Sequence, residues 1–233
     1  MQFFVGTSGY SYKEWKGAFY PEKFPPADML KFYGQHFASV ELNNTFYHAP
    51  TAESLTPLAT QVPAGFQFAV KAPQTITHRK RLLNCDDAVN EFISAVQSLA
   101  RRRGPLLFQL PPNFKKDIAR LETLLNVVQK RVPVTFEFRH ESWLDDEVVE
   151  CLRKHSATLC AADAEDTPPV RVIKTADWGY LRLRREMYSD DDLKMWAETI
   201  RENQWSKVYV YFKHEETGTG PKFAKRLSEF LEE

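Results

Sequence analysis

The chain alternates strand-like and helix-like segments along its whole length, and this alternation constrains the fold more than any other feature. Eight short runs have the composition or the two-residue period of β-strands. They are Phe3–Gly6, Ser39–Asn43, Gln67–Lys71, Leu106–Leu110, Val134–Arg139, Thr158–Asp163, Gly179–Arg184 and Val208–Lys213. Helical patterns cover Asp28–Phe37, Ala52–Gln61, Asp86–Arg103, Asp117–Lys130, Asp145–His155, Asp190–Asn203 and Gly220–Leu231.

Strands that alternate with helices predict a parallel sheet with right-handed crossovers. Eight strands in 233 residues fit an α/β (β/α)8 TIM-like barrel, whose typical length is about 250 residues. We therefore predict one barrel domain over residues 1–233. The stretch Ala164–Trp178 contains two prolines and no helical pattern, so a loop is expected in place of the sixth helix. An open doubly wound sheet is the alternative, but Gly6–Gly9 is a poor match to its glycine-rich phosphate turn.

Charge and cysteine content narrow the function classes. The formal net charge is zero, so any affinity for nucleic acid must come from a local patch. No apolar run approaches the length of a membrane span, and the N-terminus lacks the basic segment of a signal peptide. Three cysteines without a C-x-x-C motif favour reduced thiols. A cytoplasmic protein without membrane contact is expected, and the sequence does not indicate its oligomeric state.

Polar residues lie on one face of most predicted strands, close to their C-terminal ends, which is where barrel enzymes build their sites. We expect these side chains to surround the mouth of the barrel, with a small excess of positive charge that favours an anionic ligand. A purely structural network of ion pairs is the simpler alternative. The predicted mouth residues are Glu41, Asn43, Lys71, Gln109, Glu137, Arg139, Asp163, Arg182 and Lys213, with Arg184 as a possible addition.

Aromatic and basic residues share the loops that follow the first and third strands. The first loop holds Tyr10, Tyr12 and Trp15, and the third holds His78 and the run Arg79–Arg81. Aromatic rings beside basic groups suit bases or sugars joined by phosphates. A small core that stabilises the long loop explains the aromatic residues equally well.

Few other chemistries have a sequence signal. None of the six histidines lies in a predicted strand, so a multinuclear zinc site is not expected. A single Mg²⁺ on Glu137 and Asp163 stays open, and no cofactor is predicted. Glu41 and Glu137 resemble the carboxylate pair of a glycosidase. However, Lys71 and Arg139 would lower both carboxyl pKa values, whereas that reaction needs one of them raised.

Several motifs together are similar to the YecE-like family, domain of unknown function seventy-two. They are Gly6-Thr7-Ser8-Gly9-Tyr10, Val40-Glu41-Leu42-Asn43, Ile76-Thr77-His78, Gln109-Leu110-Pro111-Pro112, Glu137-Phe138-Arg139-His140 and Tyr180-Leu181-Arg182. The resemblance covers nearly the whole chain and implies a TIM-like barrel, but no reaction. Two places depart from the family pattern: Arg184-Arg185 replaces His-Gly, and Lys213-His214 replaces Asn-Asn. Both add positive charge, which implies either a more anionic ligand or a site that has lost its activity.

The resulting hypothesis is a hydrolase or lyase acting on a phosphate-bearing substrate, either nucleic acid or a nucleotide. In this hypothesis Arg139, Arg182 and Lys71 hold the phosphate, Glu137 or Glu41 is the general base, and His78 is the acid. Asp163 and Gln109 orient them, and Asn43, Tyr10, Tyr12, Trp15 and Lys213 complete the binding surface. Two alternatives remain: a non-enzymatic protein that binds single-stranded nucleic acid, and a carbohydrate-active enzyme.

Overall fold

The computed structural model describes residues 1–128, 131–165 and 172–233, and its strands form one parallel sheet. The strands are β1 (Gln2–Ser8), β2 (Ser39–Leu42), β3 (Gln67–Lys71), β4 (Arg103–Gln109), β5 (Val134–Glu137), β6 (Thr158–Leu159), β7 (Ala161–Asp163), β8 (Trp178–Leu183) and β9 (Lys207–Phe212). Their order in the sheet is β6-β5-β4-β3-β2-β1-β9-β8-β7. Neighbours in the sheet are therefore neighbours along the chain, except that β1 also pairs with β9.

The two end strands of this order, β6 and β7, belong to one chain segment and are separated only by Cys160. Within it, Thr158 pairs with Thr135 of β5, whereas Ala161 pairs with Leu181 of β8. The segment thus borders the sheet on both sides and curls it into a nearly closed barrel. The predicted TIM-like barrel is confirmed, and this segment is its predicted sixth strand.

Helices pack on the outside of the barrel. They are α1 (Met29–Tyr33), α2 (Ala52–Thr60), α3 (Asp86–Gln97), α4 (Ile118–Val128), α5 (Asp146–His155), α6 (Asp190–Glu202) and α7 (Thr219–Glu232). The third predicted helix extended to Arg103, but α3 ends at Gln97, because Ala100 takes a left-handed φ of 50° and Arg103 already begins β4. In the described part of the chain, no helix combines the length and the apolar composition that a membrane span needs.

The loop predicted in place of the sixth helix is only partly described. Residues 164–165 and 172–177 contain no helix. Residues 166–171, with Pro168 and Pro169, lie outside the described residues.

Apolar side chains form two separate layers. The larger layer lies between the helices and the outer face of the sheet. The smaller one fills the barrel interior below its mouth and is dominated by aromatic rings: Phe4, Trp178, Tyr180, Tyr209 and Tyr211, with Ala69, Leu107 and Cys160 between them. The lower interior is therefore packed with side chains, and only the upper end is left for a site.

Strands β1 and β2 approach each other closely near the mouth of the barrel. A Cβ atom on Gly6 would lie 1.9 Å from the carbonyl oxygen of Ser39, so only glycine fits. The Tyr33 hydroxyl accepts a hydrogen bond from the Thr7 amide (2.8 Å) and donates one to Ser39 (3.1 Å). These contacts bring Ser8 directly beside Glu41 in the strand register.

Candidate active site at the barrel mouth

Two glutamates and one arginine form a buried ion-paired cluster at the top of the barrel interior. Arg182 Nη2 lies 2.9 Å from Glu41 Oε1, and Arg182 Nη1 lies 2.5 Å from Glu137 Oε2. Arg182 is 2% exposed, Glu41 0% and Glu137 1%. We call Glu41, Arg182 and Glu137 the buried triad. One guanidinium thus bridges two carboxylates that come from distant parts of the chain.

The triad exists because β2, β5 and β8 all end at the same level of the barrel. Glu41 is the third residue of β2, and Glu137 is the last residue of β5. Arg182 is the second-last residue of β8. Strand alternation turns each of them inward, while their apolar neighbours pack under the helices. The sequence therefore brings the charges together through parity and strand length alone.

Glu41 accepts several hydrogen bonds besides the two from Arg182. Ser8 Oγ donates to Oε1 (2.6 Å), Tyr180 OH donates to Oε2 (2.6 Å), and Asn43 Nδ2 donates to Oε1 (3.1 Å). A carboxylate with this many donors is stabilised in its charged form. Neither Ser8 nor Tyr180 was among the predicted site residues.

Both carboxyl groups of the triad are held in the ionised form. Burial raises the pKa of Glu41, but Arg182 and the hydroxyls of Ser8 and Tyr180 outweigh it and hold this pKa below its usual range. For Glu137, burial is outweighed by Arg182, Arg184 and Arg139, and the pKa lies far below its usual range. A carboxylate this acidic is a weak proton acceptor. The triad is thus better suited to fixing charge than to moving protons.

Two further arginines lie around Glu137 at the mouth. Arg139 Nε donates to Glu137 Oε1 (3.0 Å), and the Arg139 side chain is 33% exposed. Arg184 Nη2 lies 3.6 Å from the same oxygen, and its side chain is 17% exposed. The Arg184 Nε atom is buried and has no hydrogen-bond partner among the described residues. Burial lowers the pKa of Arg184, and the nearby Arg182 and Arg139 lower it further.

Lys71 completes the ring of cations from the end of β3. Its Nζ donates to Gln109 Oε1 (2.9 Å) and lies 4.2 Å from the centroid of the Phe46 ring. Burial lowers the pKa of Lys71 to about 8, with a further lowering effect of Arg182 and Arg139 against an opposing effect of Glu41 and Glu137. Near neutral pH this amine can exchange a proton, whereas the two glutamates stay ionised.

His78 lies beside Lys71 and shares its aromatic contact. The His78 ring packs edge-on against Phe46 at 4.8 Å, and its Nδ1 is 2.9 Å from Thr77 Oγ1. Burial lowers the pKa of His78, and Lys71 and Arg139 lower it further. The imidazole is thus neutral at pH 7 and lies next to the amine.

Comparison with known proteins decides the family. The family model of a protein of unknown function, DUF72, matches residues 4–233. The chain belongs to the DUF72 family. It is 26% identical to the UPF0759 protein YecE of Escherichia coli (87% of this chain, 85% of the relative) and 24% identical to YunF of Bacillus subtilis (98% and 94%). The resemblance predicted from the motifs is confirmed.

Solved structures of DUF72 proteins share the fold. A DUF72 protein from Thermotoga maritima superposes with a TM-score of 0.82 at 29% identity, and each chain is covered completely. Another, from Enterococcus faecalis, gives a TM-score of 0.85 at 16% identity, with 100% of this chain and 96% of the other covered. These relatives establish the barrel and assign no reaction to it.

The two departures from the DUF72 pattern have different consequences in the structure. Arg184 joins the mouth beside Glu137, but Arg185 turns away and pairs with Asp163 (2.9 Å) and Asp192 (3.0 Å). Lys213 is an exposed side chain 4.0 Å from Glu215, and His214 Nε2 contacts the Arg185 carbonyl oxygen. Of the four residues, Arg184 is the one with an ion-pair contact to the triad.

Asp163 was predicted to face into the barrel, and the structure places it on the outer side. Its Oδ2 accepts from Arg185 Nε and from Tyr188 OH (3.1 Å), and Tyr188 packs among outer-layer rings. Cys160 and Ala162 face inward instead. The prediction assumed that apolar residues point to the helices, but here small residues line the interior, and strand alternation then turns Asp163 to the opposite face. Asp163 therefore does not join Glu137, and the Mg²⁺ pair left open by the sequence does not form.

The aromatic residues of the first loop form a small core of their own. Trp15 is 0% exposed and packs against Tyr12 (4.8 Å) and Phe19 (5.9 Å). Tyr12 OH donates to the Ser8 carbonyl oxygen (2.7 Å), and Tyr10 is half-buried against Tyr33. Trp15 offers no surface to a ligand, and the predicted binding role does not fit its position.

Two signals for this site were overlooked in the sequence. Ser8 follows Phe4 and Gly6 on the inward face of β1, so extending the first strand by two residues would have found it. Phe46, in the loop after β2, is not among the predicted site residues, although its ring lies under Lys71 Nζ. Among the described residues, no group of three histidine, cysteine or acidic side chains comes together in a way that could hold a metal ion.

Proposed function

We propose that this DUF72 protein binds a phosphate-bearing substrate at the barrel mouth and acts on it as a hydrolase or lyase. The main support is the excess of positive charge around the triad. Two carboxylates, Glu41 and Glu137, lie close to four cationic side chains, which are Arg182, Arg139, Arg184 and Lys71. Cations packed together without enough carboxylates repel one another, and a bound anion would relieve that repulsion.

The geometry divides the cations into two kinds. Arg182 is buried and fully engaged by the two glutamates, so it positions them and does not reach a ligand. Arg139, Arg184 and Lys71 lie further out, and none of them has a carboxylate to itself. Arginine forks match phosphate oxygens, and a guanidinium with an unused buried N–H is suited to donate a hydrogen bond to one of them. We assign phosphate binding to these three outer residues.

The proton-transfer roles are assigned differently from the sequence-based hypothesis. Glu41 and Glu137 were candidate bases, but their burial and lowered pKa values favour an electrostatic role. Lys71 has a pKa lowered to about 8, and the lowered pKa of His78 leaves its imidazole free to accept a proton. We propose that these two residues transfer protons, while Glu41 and Glu137 stay ionised and hold Arg182 in place.

The experiment measures phosphate and nucleotide binding by calorimetry in the wild type and in Arg139→Ala. The control variant is Arg153→Ala, whose side chain pairs with Glu150 on the outer helix α5. Loss of a charge-assisted contact weakens binding about 10- to 100-fold. We expect this loss for Arg139→Ala and none for the control. Equal affinity in the wild type and Arg139→Ala would contradict the proposal.

Binding of single-stranded nucleic acid outside the barrel is the second candidate. The loops after β3 and β4 border a surface groove of about 340 Å³ lined by Arg81, Asn113, Phe114, Lys115, Lys116, Asp117 and Arg120. Asp145 and Glu147 pair with Lys116, and Asp117 pairs with Arg120. This neutralisation leaves Arg81 and Lys115 to attract a backbone, so the groove supports only weak binding.

A labelled oligonucleotide separates the two candidates. Binding is measured by fluorescence anisotropy at low and at moderate salt. It should weaken as salt rises in either case, since phosphate contacts release counterions. Binding lost in Arg139→Ala supports the mouth, whereas binding lost in Lys115→Ala and kept in Arg139→Ala supports the groove. The carbohydrate alternative is weakened by the burial of Trp15, because a buried ring cannot stack on a sugar.

A further inference from the structure

Lys71 is an amine held in an unusual setting for a lysine. Its Nζ has one hydrogen-bond acceptor, Gln109 Oε1, and an aromatic ring, Phe46, on another side. Among the described residues, no carboxylate lies within ion-pairing distance of Nζ. Lysines without a counterion are normally exposed to water, but this one is half-buried at the end of a barrel strand.

The neighbourhood of Lys71 favours the uncharged amine. Burial removes water that would solvate an ammonium group, and Arg182 and Arg139 place positive charge nearby; together they outweigh the opposing effect of Glu41 and Glu137. An uncharged primary amine is a nucleophile towards carbonyl carbon. Lysines that form such bonds are activated by desolvation or by another cationic group, and both conditions are met here.

We propose that Lys71 Nζ forms an imine with an aldehyde or ketone that carries a phosphate group. This inference rests on the proposed function, because the same outer arginines would hold the phosphate. Arg139 and Arg184 lie on the β5 and β8 sides of the mouth, and Lys71 extends from β3. A small substrate anchored by its phosphate at the arginines can extend its carbonyl group across the mouth towards Nζ.

The imine step needs one relay of protons and no further reactant. The nitrogen lone pair of Lys71 attacks the carbonyl carbon, and the C=O π electrons move to oxygen. His78 takes a proton from the nitrogen and returns it to that oxygen, which gives a carbinolamine. His78 then takes the second proton from the nitrogen and passes it to the hydroxyl, the C–O bond breaks so that the hydroxyl leaves as water, and the nitrogen lone pair forms the C=N bond. The amine and the carbonyl compound thus give an imine and one water.

An imine would also give the site a lyase chemistry. A carbon–nitrogen double bond withdraws electrons from the neighbouring carbon, so a bond to that carbon can break with its electrons left on the substrate. The triad would not take part in this chemistry directly. Within it, Glu41 and Glu137 hold Arg182 in place, which keeps the guanidinium near Lys71.

The test uses pyridoxal 5′-phosphate as a phosphate-bearing aldehyde, followed by borohydride reduction and peptide mapping. Reduction fixes an imine as a stable secondary amine on the lysine that formed it. The variants are Lys71→Arg, which keeps the charge but is not a nucleophile of this kind, and Lys213→Arg as a matched control. Lys213 lies at the same end of the barrel but is exposed and near Glu215.

We expect Lys71 to be the residue modified first, with a rate that rises through about pH 8 as the amine loses its proton. The label should disappear in Lys71→Arg and persist in Lys213→Arg. Inorganic phosphate should slow the labelling, and Arg139→Ala should slow it about tenfold, since a lost charged contact is worth about that factor.

Failure of the imine and failure of phosphate binding give different results. Labelling spread over exposed lysines with Lys71 unmodified would overturn the imine, even if phosphate still binds through Arg139. Labelling of Lys71 at equal rates by pyridoxal and by its phosphate ester, unaffected by Arg139→Ala, would overturn the phosphate-bearing substrate and with it the proposed function.

Discussion

The lower and upper halves of the barrel interior are built from the same strands and have opposite chemistry. The lower half is a layer of aromatic rings, in which Phe4 stacks on Tyr209 at 4.8 Å. The upper half is a layer of charges centred on Arg182. Two residues further along a strand change the inward side chain from Tyr180 to Arg182. Packing holds the lower layer, whereas the upper layer depends on charge pairing, so the two should respond differently to pH.

The largest expected effect is on the upper layer. Arg182→Met leaves Glu41 and Glu137 buried without their shared partner, and breaking a buried pair in this way costs about 3–5 kcal/mol. Denaturant unfolding at pH 7 would measure this loss. Arg139→Met is the control, because its partly exposed side chain should cost less than about 1 kcal/mol. Similar losses of unfolding free energy for both variants would show that the buried ion pairs of Arg182 do not stabilise the protein more than the partly exposed Arg139 does.

A substitution in the lower layer should have a comparable but slightly smaller effect. Tyr209→Ala removes a buried ring that packs against Phe4 and Trp178, and cavities of this kind cost about 3 kcal/mol. This loss should be the same at pH 7 and pH 4, whereas the loss in Arg182→Met should shrink at pH 4, because the unpaired carboxyl groups can then take up protons. If both losses had the same pH dependence, the distinction between the layers would fail.

Acid should weaken the wild type through the upper layer. The pKa values of Glu41 and Glu137 are lower in the folded protein than their ordinary value of 4.5. Such groups stabilise the fold fully above pH 4.5, and this contribution is lost as the pH falls towards the folded pKa values. We expect the melting temperature to fall steadily below pH 4.5. A flat profile from pH 5 to pH 3 would contradict the low pKa values.

The smallest expected effect is a gain. The pKa of Lys71 is lowered to about 8 from 10.5, so its charged form destabilises the fold below pH 10.5, and this cost is complete below about pH 8. Lys71→Met should therefore stabilise the protein at pH 7 by about 1 kcal/mol, after allowance for partial exposure and for the lost hydrogen bond to Gln109. The gain should vanish as the pH approaches 10.5. A destabilised variant at pH 7 would show that Lys71 is a structural residue.

Much of the barrel and part of its site could be predicted from the sequence. The alternation of strands and helices was enough for the fold, since it reflects the local period of the chain. Strand parity also correctly turned Glu41, Glu137 and Arg182 inward. That these three pair with one another could not be predicted, because β2, β5 and β8 are not adjacent in the sheet. Their distances depend on barrel closure, which no local pattern records.

Asp163 and Trp15 are not placed where the predicted site had them. Asp163 was turned inward by strand parity, on the assumption that the apolar residues of its strand point to the helices, but Cys160 and Ala162 face the interior and Asp163 faces the outer side. For Trp15 a binding role and loop packing were both open, and the structure shows it buried among the rings of the first loop. Which face of a short strand is the inner one depends on the neighbouring strands, and which loop ring is buried depends on the fold of the whole loop, so neither can be read from a short segment.

The buried triad also constrains how this protein can change over generations. Replacing Arg182 by a neutral residue leaves two buried carboxylates without the cation that they share, and replacing either glutamate removes one of the two partners of the buried guanidinium. A lineage that loses one member would have to replace the others soon afterwards or accept a less stable barrel. We therefore expect the three positions to be inherited as a unit, whereas Arg184, which makes a single long contact with Glu137, can be exchanged alone. Variation among relatives should thus concentrate in the outer ring of cations, where a new ligand can be accommodated without rebuilding the centre.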